Sequence, residues 1–220
     1  MADKANKSKK LVTIQGNIGS GKSTFVKQLK NLFKENKKIY FLQEPVDIWM
    51  TIKDKDGVDI ITHYYKDQSK YAFAFQMMAY ISRLSQLREA LKQDYDIIIS
   101  ERSLETDKHV FAQMLYDSKK IDHISYQIYH KWFNEFKDEL PKESVVYIKT
   151  DPEVAQHRIV KRARPGEEIP LEYLKSCHDY HESWLEKHVD KIILDGNIDT
   201  EEHPETINIW YEKIMKIINN

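Results

Sequence analysis

The fold is decided by the stretch Gly16-Asn17-Ile18-Gly19-Ser20-Gly21-Lys22-Ser23-Thr24. Its first eight residues satisfy the pattern G-x-x-x-x-G-K-[ST], between an apolar run of strand length and a segment with helical spacing. Glycines let backbone N–H groups turn towards phosphate oxygens, while Lys22 supplies a positive charge and Ser23 a hydroxyl ligand for Mg²⁺. We therefore predict a loop that binds the phosphates of ATP or GTP.

Apolar runs and helical segments alternate along the rest of the chain. Strands are predicted at Leu11–Gln15, Ile39–Gln43, Ile97–Ser100, Val145–Lys149 and Lys191–Leu194. Helices are predicted at Lys22–Glu35, Ser69–Gln93, Leu104–Asp117, His123–Glu139, Pro152–Arg162, Pro170–His188 and Glu205–Ile218. This alternation predicts an α/β fold with a five-stranded parallel sheet flanked by helices.

The composition of the 220 residues limits the domain count and the partners. We predict a disordered tail at residues 1–10 and a single domain at residues 11–220. The net charge of -1 provides no overall field to attract a nucleic acid polymer. No apolar run approaches the ~20 residues of a membrane span. The single cysteine, Cys177, suits a reducing compartment, so a cytoplasmic location is expected.

Charged residues follow the second and third predicted strands. Glu44 comes directly after the second strand, and Glu101 and Arg102 follow the third. The carboxyl ends of parallel strands meet at one edge of the sheet, where ligands bind. Glu44 could act as a general base on a hydroxyl acceptor, Glu101 could hold Mg²⁺, and Arg102 could steady Glu44 or the phosphoryl group. The alternative is that they are ordinary surface charges.

A cluster of cations precedes a Pro-Gly pair. Arg158 and Arg162 share a helix face, where like charges repel, and Arg164 follows. An anionic partner explains this cluster, and Pro165-Gly166 would give it a place to bend. We therefore predict an arginine-bearing lid at about residues 158–169. The alternative is a solvated basic face.

Together these features resemble the deoxyribonucleoside kinase family over about residues 11–197. Besides the phosphate loop and the lid arginines, the resemblance rests on Glu44-Pro45-Val46, Trp49, Tyr65-Lys66-Asp67, Phe75-Gln76, Glu101-Arg102-Ser103, Pro170–Leu174 and His181–Leu185. It implies a P-loop kinase fold that uses ATP and Mg²⁺ to phosphorylate the 5′-hydroxyl of a deoxynucleoside. The family also implies a homodimer.

The resemblance implies roles for individual residues. Glu44 would be the catalytic base, assisted by Arg102, and Ser23 with Glu101 would serve Mg²⁺. ATP would be contacted by the loop Gly16–Thr24 and by Arg158, Arg162, Arg164, Asp195 and Asn197. The deoxynucleoside would be contacted by Glu44, Trp49, Tyr65, Phe75, Gln76, Arg83, Arg102, Asp107, Phe111 and Glu167. In this set Gln76 would read the base edge, while Tyr65 and either Glu167 or Glu168 would hold the sugar.

The pair Arg83 and Asp107 implies a base preference. Relatives that resemble deoxycytidine kinase carry arginine and aspartate at these positions. A carboxylate held by Arg83 accepts from an exocyclic amine but faces the O4 carbonyl of thymine unfavourably. Deoxycytidine, deoxyadenosine and deoxyguanosine are therefore expected to be better substrates than thymidine, unless the pair is a purely structural ion pair. Two alternative functions are a nucleoside monophosphate kinase and a non-catalytic binding subunit of the same fold.

Overall fold

The computed structural model describes residues 9–164, 167–189 and 191–219, and these contain one sheet of five parallel strands. The strands are β1 (Lys10–Gln15), β2 (Ile39–Leu42), β3 (Ile97–Glu101), β4 (Glu143–Lys149) and β5 (Lys191–Asp195), in the order β2-β3-β1-β4-β5. The predicted α/β fold is confirmed. Lys10, assigned to the tail by the sequence prediction, is the first residue of β1, and residues 1–8 lie outside the described residues.

Helices connect the strands and cover the sheet. They are α1 (Lys22–Leu32), α2 (Val46–Trp49), α3 (Ile60–Lys66), α4 (Gln68–Lys92), α5 (Leu104–Thr106), α6 (Gln113–Asp117), α7 (His123–Phe136), α8 (Pro152–Arg162), α9 (Leu171–Glu186) and α10 (Glu205–Asn219). The short helices α2 and α3 are not among the predicted ones. The helix predicted at Leu104–Asp117 contains a π-helical segment, Asp107–Ala112, between α5 and α6.

Apolar side chains pack on both faces of the sheet because side chains alternate along each strand. In β1, Val12 and Ile14 belong to a core formed with α1 and α10. Phe25 of α1 and Trp210 of α10 meet edge to face in that core, with ring centroids 5.1 Å apart. Leu11 belongs to the opposite core, formed with α4 and α7. The two cores fix the sheet between layers of helices.

The sheet order brings the predicted site residues to one edge. β1 lies between β3 and β4, so the loop that begins at Gly16 leaves the sheet near its centre. Glu44 lies two residues after β2, and Arg102 comes directly after β3. All three positions are at the carboxyl ends of parallel strands, which is where open sheets bind their ligands.

Candidate active site

The loop after β1 has a backbone that excludes side chains at two positions. Gly16 and Gly19 adopt positive φ angles of 148° and 77°. A Cβ atom at Gly16 would lie 2.7 Å from the carbonyl oxygen of Ile148, and one at Gly19 would collide with the carbonyl oxygen of Ala155. Both positions therefore require glycine, as expected for a phosphate-binding loop.

The side chains of Asn17, Ser20 and Lys22 in this loop are buried. Asn17 Nδ2 donates to the carbonyl oxygen of Leu174 at 2.8 Å, and its Oδ1 accepts from the backbone N–H of Ile18 at 2.8 Å. Lys22 Nζ donates to the carbonyl oxygen of Asn17 at 2.5 Å. Burial, with the positive charge of Arg102, lowers the pKa of Lys22 to about 7. Asn17 therefore holds the loop in shape, and an anion beside Lys22 would favour its charged form.

The two predicted Mg²⁺ ligands lie together. The hydroxyl of Ser23 donates to Oε1 of Glu101 at 2.6 Å, and Glu101 is buried. Mg²⁺ prefers hard oxygen donors and commonly takes one or two from protein, completing its shell with phosphates and water. Among the described residues, no group of three or more acidic, histidine or cysteine side chains is arranged to hold a metal ion by itself. This pair therefore fits an Mg²⁺ ion that arrives with a nucleotide.

Two arginines hold the carboxylate of Glu44. Its Oε1 accepts from Arg102 Nη1 at 2.6 Å and from Arg83 Nη2 at 3.0 Å. Burial alone would raise the pKa of Glu44, but the charges of Arg102, Arg83 and Lys22 outweigh it and lower the pKa to about 2. Glu44 is therefore ionised and fixed in orientation at neutral pH.

Arg102 has a left-handed backbone conformation, with φ at 61°. This conformation costs a non-glycine residue about 1–2 kcal/mol. The backbone N–H of Arg102 donates to the carbonyl oxygen of Ile14 at 3.0 Å, and its guanidinium lies 5.0 Å from the ring centroid of Phe111. Strain of this kind is common where a side chain must be aimed at a ligand.

Aromatic rings line the cavity that contains Glu44, and we call this part of the cavity the base slot. The ring centroid of Phe75 lies 5.4 Å from that of Trp49, edge to face, and 4.5 Å from that of Tyr64, stacked. Phe111 lines the same cavity. A slot of apolar faces suits a planar ring such as a nucleobase.

Two polar residues that line the same cavity, Gln76 and Asp107, are buried. Gln76 is 2% exposed, and its Oε1 has no hydrogen-bond partner among the described residues. Asp107 Oδ2 accepts from Arg83 Nε at 2.9 Å. Burial raises the pKa of Asp107, and the charge of Arg83 offsets part of that rise. Arg83 therefore connects Asp107 with Glu44.

Residues of the predicted lid face the same region. Arg162 Nη2 donates to Glu167 Oε2 at 2.5 Å, and Arg164 Nη1 lies 3.7 Å from Glu167 Oε1. The side chain of Glu167 is 6% exposed, whereas Glu168 is exposed. Of these two residues, Glu167 is the one that lines the cavity. Pro165-Gly166, the predicted bending point, lies outside the described residues.

The turn after β5 lies against the third lid arginine. Arg158 Nη1 donates to the carbonyl oxygen of Gly196 at 2.6 Å, and Nη2 donates to that of Ile198 at 3.3 Å. The side chains of Asp195 and Asn197 are exposed and accept from nearby backbone N–H groups. The turn therefore faces the cavity through Gly196 and Ile198.

These parts surround the main cavity, which has a volume of about 740 Å³. The predicted residues that line it are Ile18, Gly19, Ser20, Gly21, Lys22, Ser23, Thr24, Glu44, Trp49, Tyr65, Phe75, Gln76, Glu101, Arg102, Asp107, Phe111, Arg158, Arg162, Arg164 and Glu167. The predicted residues outside its lining are Gly16, Asn17, Arg83, Asp195 and Asn197. Arg83 acts on the cavity through its bonds to Asp107 and Glu44.

Comparison with known proteins shows the family of this chain. A family model described as deoxynucleoside kinase matches residues 12–219. The chain belongs to this family. The probable deoxycytidine kinase of fowlpox virus is 36% identical over 180 residues, which cover 80% of this chain and 72% of the relative. Human deoxycytidine kinase is 34% identical over 198 residues, which cover 80% of this chain and 75% of the human protein. Mitochondrial deoxyguanosine kinase of Xenopus laevis is 31% identical over 207 residues, covering 85% and 77%.

As a deoxynucleoside kinase, the protein is an ATP-dependent phosphotransferase, and the predicted P-loop kinase fold is confirmed. Several residues that line the cavity of this kinase were not assigned to the site from the residue pattern, and Tyr173 is one of them. Tyr173 lines the main cavity, and its hydroxyl lies 2.7 Å from that of Tyr64. An aromatic residue near the start of a helix is usually a core residue, so the pattern alone gave no signal.

Proposed function

We propose that this kinase phosphorylates the 5′-hydroxyl of deoxycytidine, deoxyadenosine and deoxyguanosine in preference to thymidine. One observation carries the proposal: the ionised Glu44 lines the same cavity as Lys22 of the phosphate loop and Asp107 of the base slot. A nucleoside in the slot would place its sugar between Glu44 and the phosphate loop. The names of the relatives support the same substrate class.

The chemical step would depend mainly on positioning. Glu44 would accept a hydrogen bond from the 5′-hydroxyl, aim its oxygen at the γ-phosphorus, and take the proton as the new P–O bond forms. A carboxylate with a low pKa is a weak base, but it can take the proton late in a loose transition state, because the hydroxyl becomes strongly acidic as its oxygen bonds to phosphorus. Lys22 and the lid arginines would spread the charge of the phosphoryl group. When bound at Ser23 and Glu101, Mg²⁺ would supply further charge neutralisation.

The base preference would come from Asp107 and Gln76. Asp107 presents an acceptor fixed by Arg83, and Gln76 presents a buried amide with an unused acceptor oxygen. Both favour a base that carries an exocyclic amine. The O4 carbonyl of thymine would instead face the carboxylate, at a cost of about 1–3 kcal/mol.

An exposed apolar stripe on α7 supports the proposed homodimer. Ile124, Ile128 and Trp132 follow one another at four-residue spacing and are 70%, 41% and 49% exposed. Side chains at this spacing share a helix face, and a second copy of the chain would cover it. Sedimentation of the wild type and of Ile128→Glu tests this, since the variant should shift the protein towards monomer.

We also propose that the protein is located in the cytoplasm. Cys177 is a free thiol in the core, as expected where disulfides do not form. Within the described ranges, no helix has the length and hydrophobicity to cross a bilayer. Imaging of the tagged chain tests the location, and enrichment in mitochondria or in a membrane fraction would contradict it.

Steady-state assays with ATP and Mg²⁺ test the proposed activity. The four deoxynucleosides and their monophosphates are offered separately as acceptors. We expect turnover on the three amine-bearing deoxynucleosides and at least tenfold lower kcat/KM for thymidine. Turnover confined to monophosphates would indicate a nucleoside monophosphate kinase, and no turnover on any acceptor would indicate a non-catalytic subunit.

A further inference from the structure

A second cavity lies behind the arginines of the active site. Its volume is about 500 Å³, within the range of roughly 300–1,000 Å³ that small-molecule sites occupy. Arg102 lines both cavities, and Arg83, which holds Glu44 and Asp107, lines the second one. A molecule in the second cavity would therefore touch the groups that fix the proposed catalytic base.

The interior of the second cavity combines apolar walls with unused polar groups. Leu11, Leu104 and Trp184 supply buried apolar surface. Both carboxylate oxygens of Glu143 are buried, and neither accepts a hydrogen bond of normal geometry among the described residues. The hydroxyls of Thr13 and Ser103 lie beside this carboxylate and interact with it electrostatically, without a well-formed hydrogen bond to it. A buried carboxylate normally accepts several well-formed hydrogen bonds, so Glu143 marks a place where a ligand's donors would fit.

The rim of the second cavity is positively charged. Lys137 and Lys187 line it and are exposed. Of the two acids in its lining, Glu105 is paired with His109, with Oε2 3.0 Å from Nε2, whereas Glu143 is buried and has both carboxylate oxygens without a well-formed hydrogen bond. A rim of this charge selects against a cation and favours an anionic group at the mouth.

We propose that the second cavity binds an anionic heteroaromatic molecule of mononucleotide size. Its ring would lie against the apolar walls, with amine or ring N–H donors at Glu143 and the anionic group near Lys137 and Lys187. A glutamate side chain matches such an edge, because its two oxygens can accept from two donors, or donate once and accept once when protonated. Occupancy would change turnover at the main cavity through Arg83 and Arg102.

Calorimetry on the full chain tests the binding. The main cavity is first saturated with deoxycytidine and a non-hydrolysable ATP analogue, and dCMP, dAMP and dGMP are then titrated separately. We expect saturable one-to-one binding of at least one nucleotide, and at least tenfold weaker binding of deoxyribose 5-phosphate, which has no ring. Absence of saturable binding at millimolar concentration, or equal binding of deoxyribose 5-phosphate, would overturn the proposal. The titration measures binding directly, so its result is separate from the proposed base preference.

Variants locate the site and test the coupling. Leu140→Trp should fill the cavity, and Lys187→Glu should reverse a charge at its rim. Each variant should weaken nucleotide binding at least tenfold. The control, Lys30→Glu on the exposed face of α1, should change the binding affinity less than twofold. At saturating deoxycytidine and ATP, the bound nucleotide should change kcat at least twofold in the wild type and not in Leu140→Trp. Undiminished binding by folded Lys187→Glu would refute the site, and an unchanged wild-type kcat would refute the coupling.

Discussion

Replacing the buried pair Arg83 and Asp107 with Met and Ala should turn the enzyme towards thymidine. Arg83 donates to Asp107 at 2.9 Å, to Glu44 at 3.0 Å and to the carbonyl oxygen of Glu101 at 2.8 Å. Removing Asp107 alone would leave the buried positive charge of Arg83 only partly neutralised, whereas the double replacement removes both charges of the pair. It also removes the acceptor that would face the O4 carbonyl of thymine.

The size of the change in substrate preference follows from the contact between Asp107 and the O4 carbonyl of thymine. Relief of about 1–3 kcal/mol should raise kcat/KM for thymidine by roughly 5-fold to 150-fold relative to deoxycytidine. Glu44 loses one of its two arginine partners, so kcat should fall for every substrate. The ratio of the two kcat/KM values is therefore the quantity to measure, in a coupled assay of ADP release.

A matched control lies on the same helix. Arg88 and Glu139 form an ion pair at 3.3 Å, with both side chains about half exposed. Arg88→Met with Glu139→Ala makes a comparable chemical change away from the cavity, and we expect it to leave the substrate ratio unchanged. If the Arg83 and Asp107 double variant folds, as judged by its thermal transition, and the ratio moves less than fivefold, the proposed discrimination by Asp107 is refuted.

Three further predictions concern single residues. Ser23→Ala removes one of the two proposed Mg²⁺ donors, so the Mg²⁺ concentration for half-maximal activity should rise at least tenfold, and an unchanged Mg²⁺ titration would reject the site. Burial and the charge of Arg102 lower the pKa of Lys22 to about 7, so Lys22 should take up a proton when ATP binds at pH 8. Calorimetry in buffers of different ionisation enthalpy measures this proton uptake, and zero uptake would contradict the prediction. Burial raises the pKa of Glu143 from 4.5 to about 7, so the folded state keeps a proton that the unfolded state has lost, and wild-type stability should fall as pH rises through this window. The Glu143→Gln variant should not show this loss, so its free energy of unfolding in urea melts should rise by about 1–3 kcal/mol relative to the wild type between pH 4.5 and pH 8. A difference in free energy of unfolding that stays constant with pH would show that the carboxyl group of Glu143 is not desolvated.

The sheet and the phosphate loop were predictable because local signals agree with the tertiary structure. The ends of each predicted strand lie within two residues of the observed ones, since each apolar run is short and bounded by polar residues. The short helix α3 could have been predicted from Asp59, whose side chain accepts from the backbone N–H groups of Ile61 and Thr62. The carboxyl-edge rule correctly placed Glu44 and Arg102 beside the loop.

Other parts of the site depend on contacts between distant elements. The π-helical segment that carries Asp107 and Phe111 has no signature in the spacing of apolar residues. Arg83 was expected among the ligand contacts, but it does not line the main cavity and holds the carboxylates of Asp107 and Glu44. This is a three-way contact between α4, the loop after β2 and the π-helical segment. The second cavity likewise arises where α4, α5, α9 and the approach to β4 meet, so no single stretch of sequence indicates it.

The kcat of Glu44→Gln with deoxycytidine tests the central claim most directly. Glutamine keeps the shape but cannot take the proton, so we expect kcat to fall by roughly 10²–10⁴-fold with a smaller change in KM. The control is Glu35→Gln, at an exposed position beyond α1, which should retain wild-type kcat. A folded Glu44→Gln enzyme whose kcat is within threefold of the wild type would contradict the assignment of Glu44 as the catalytic base.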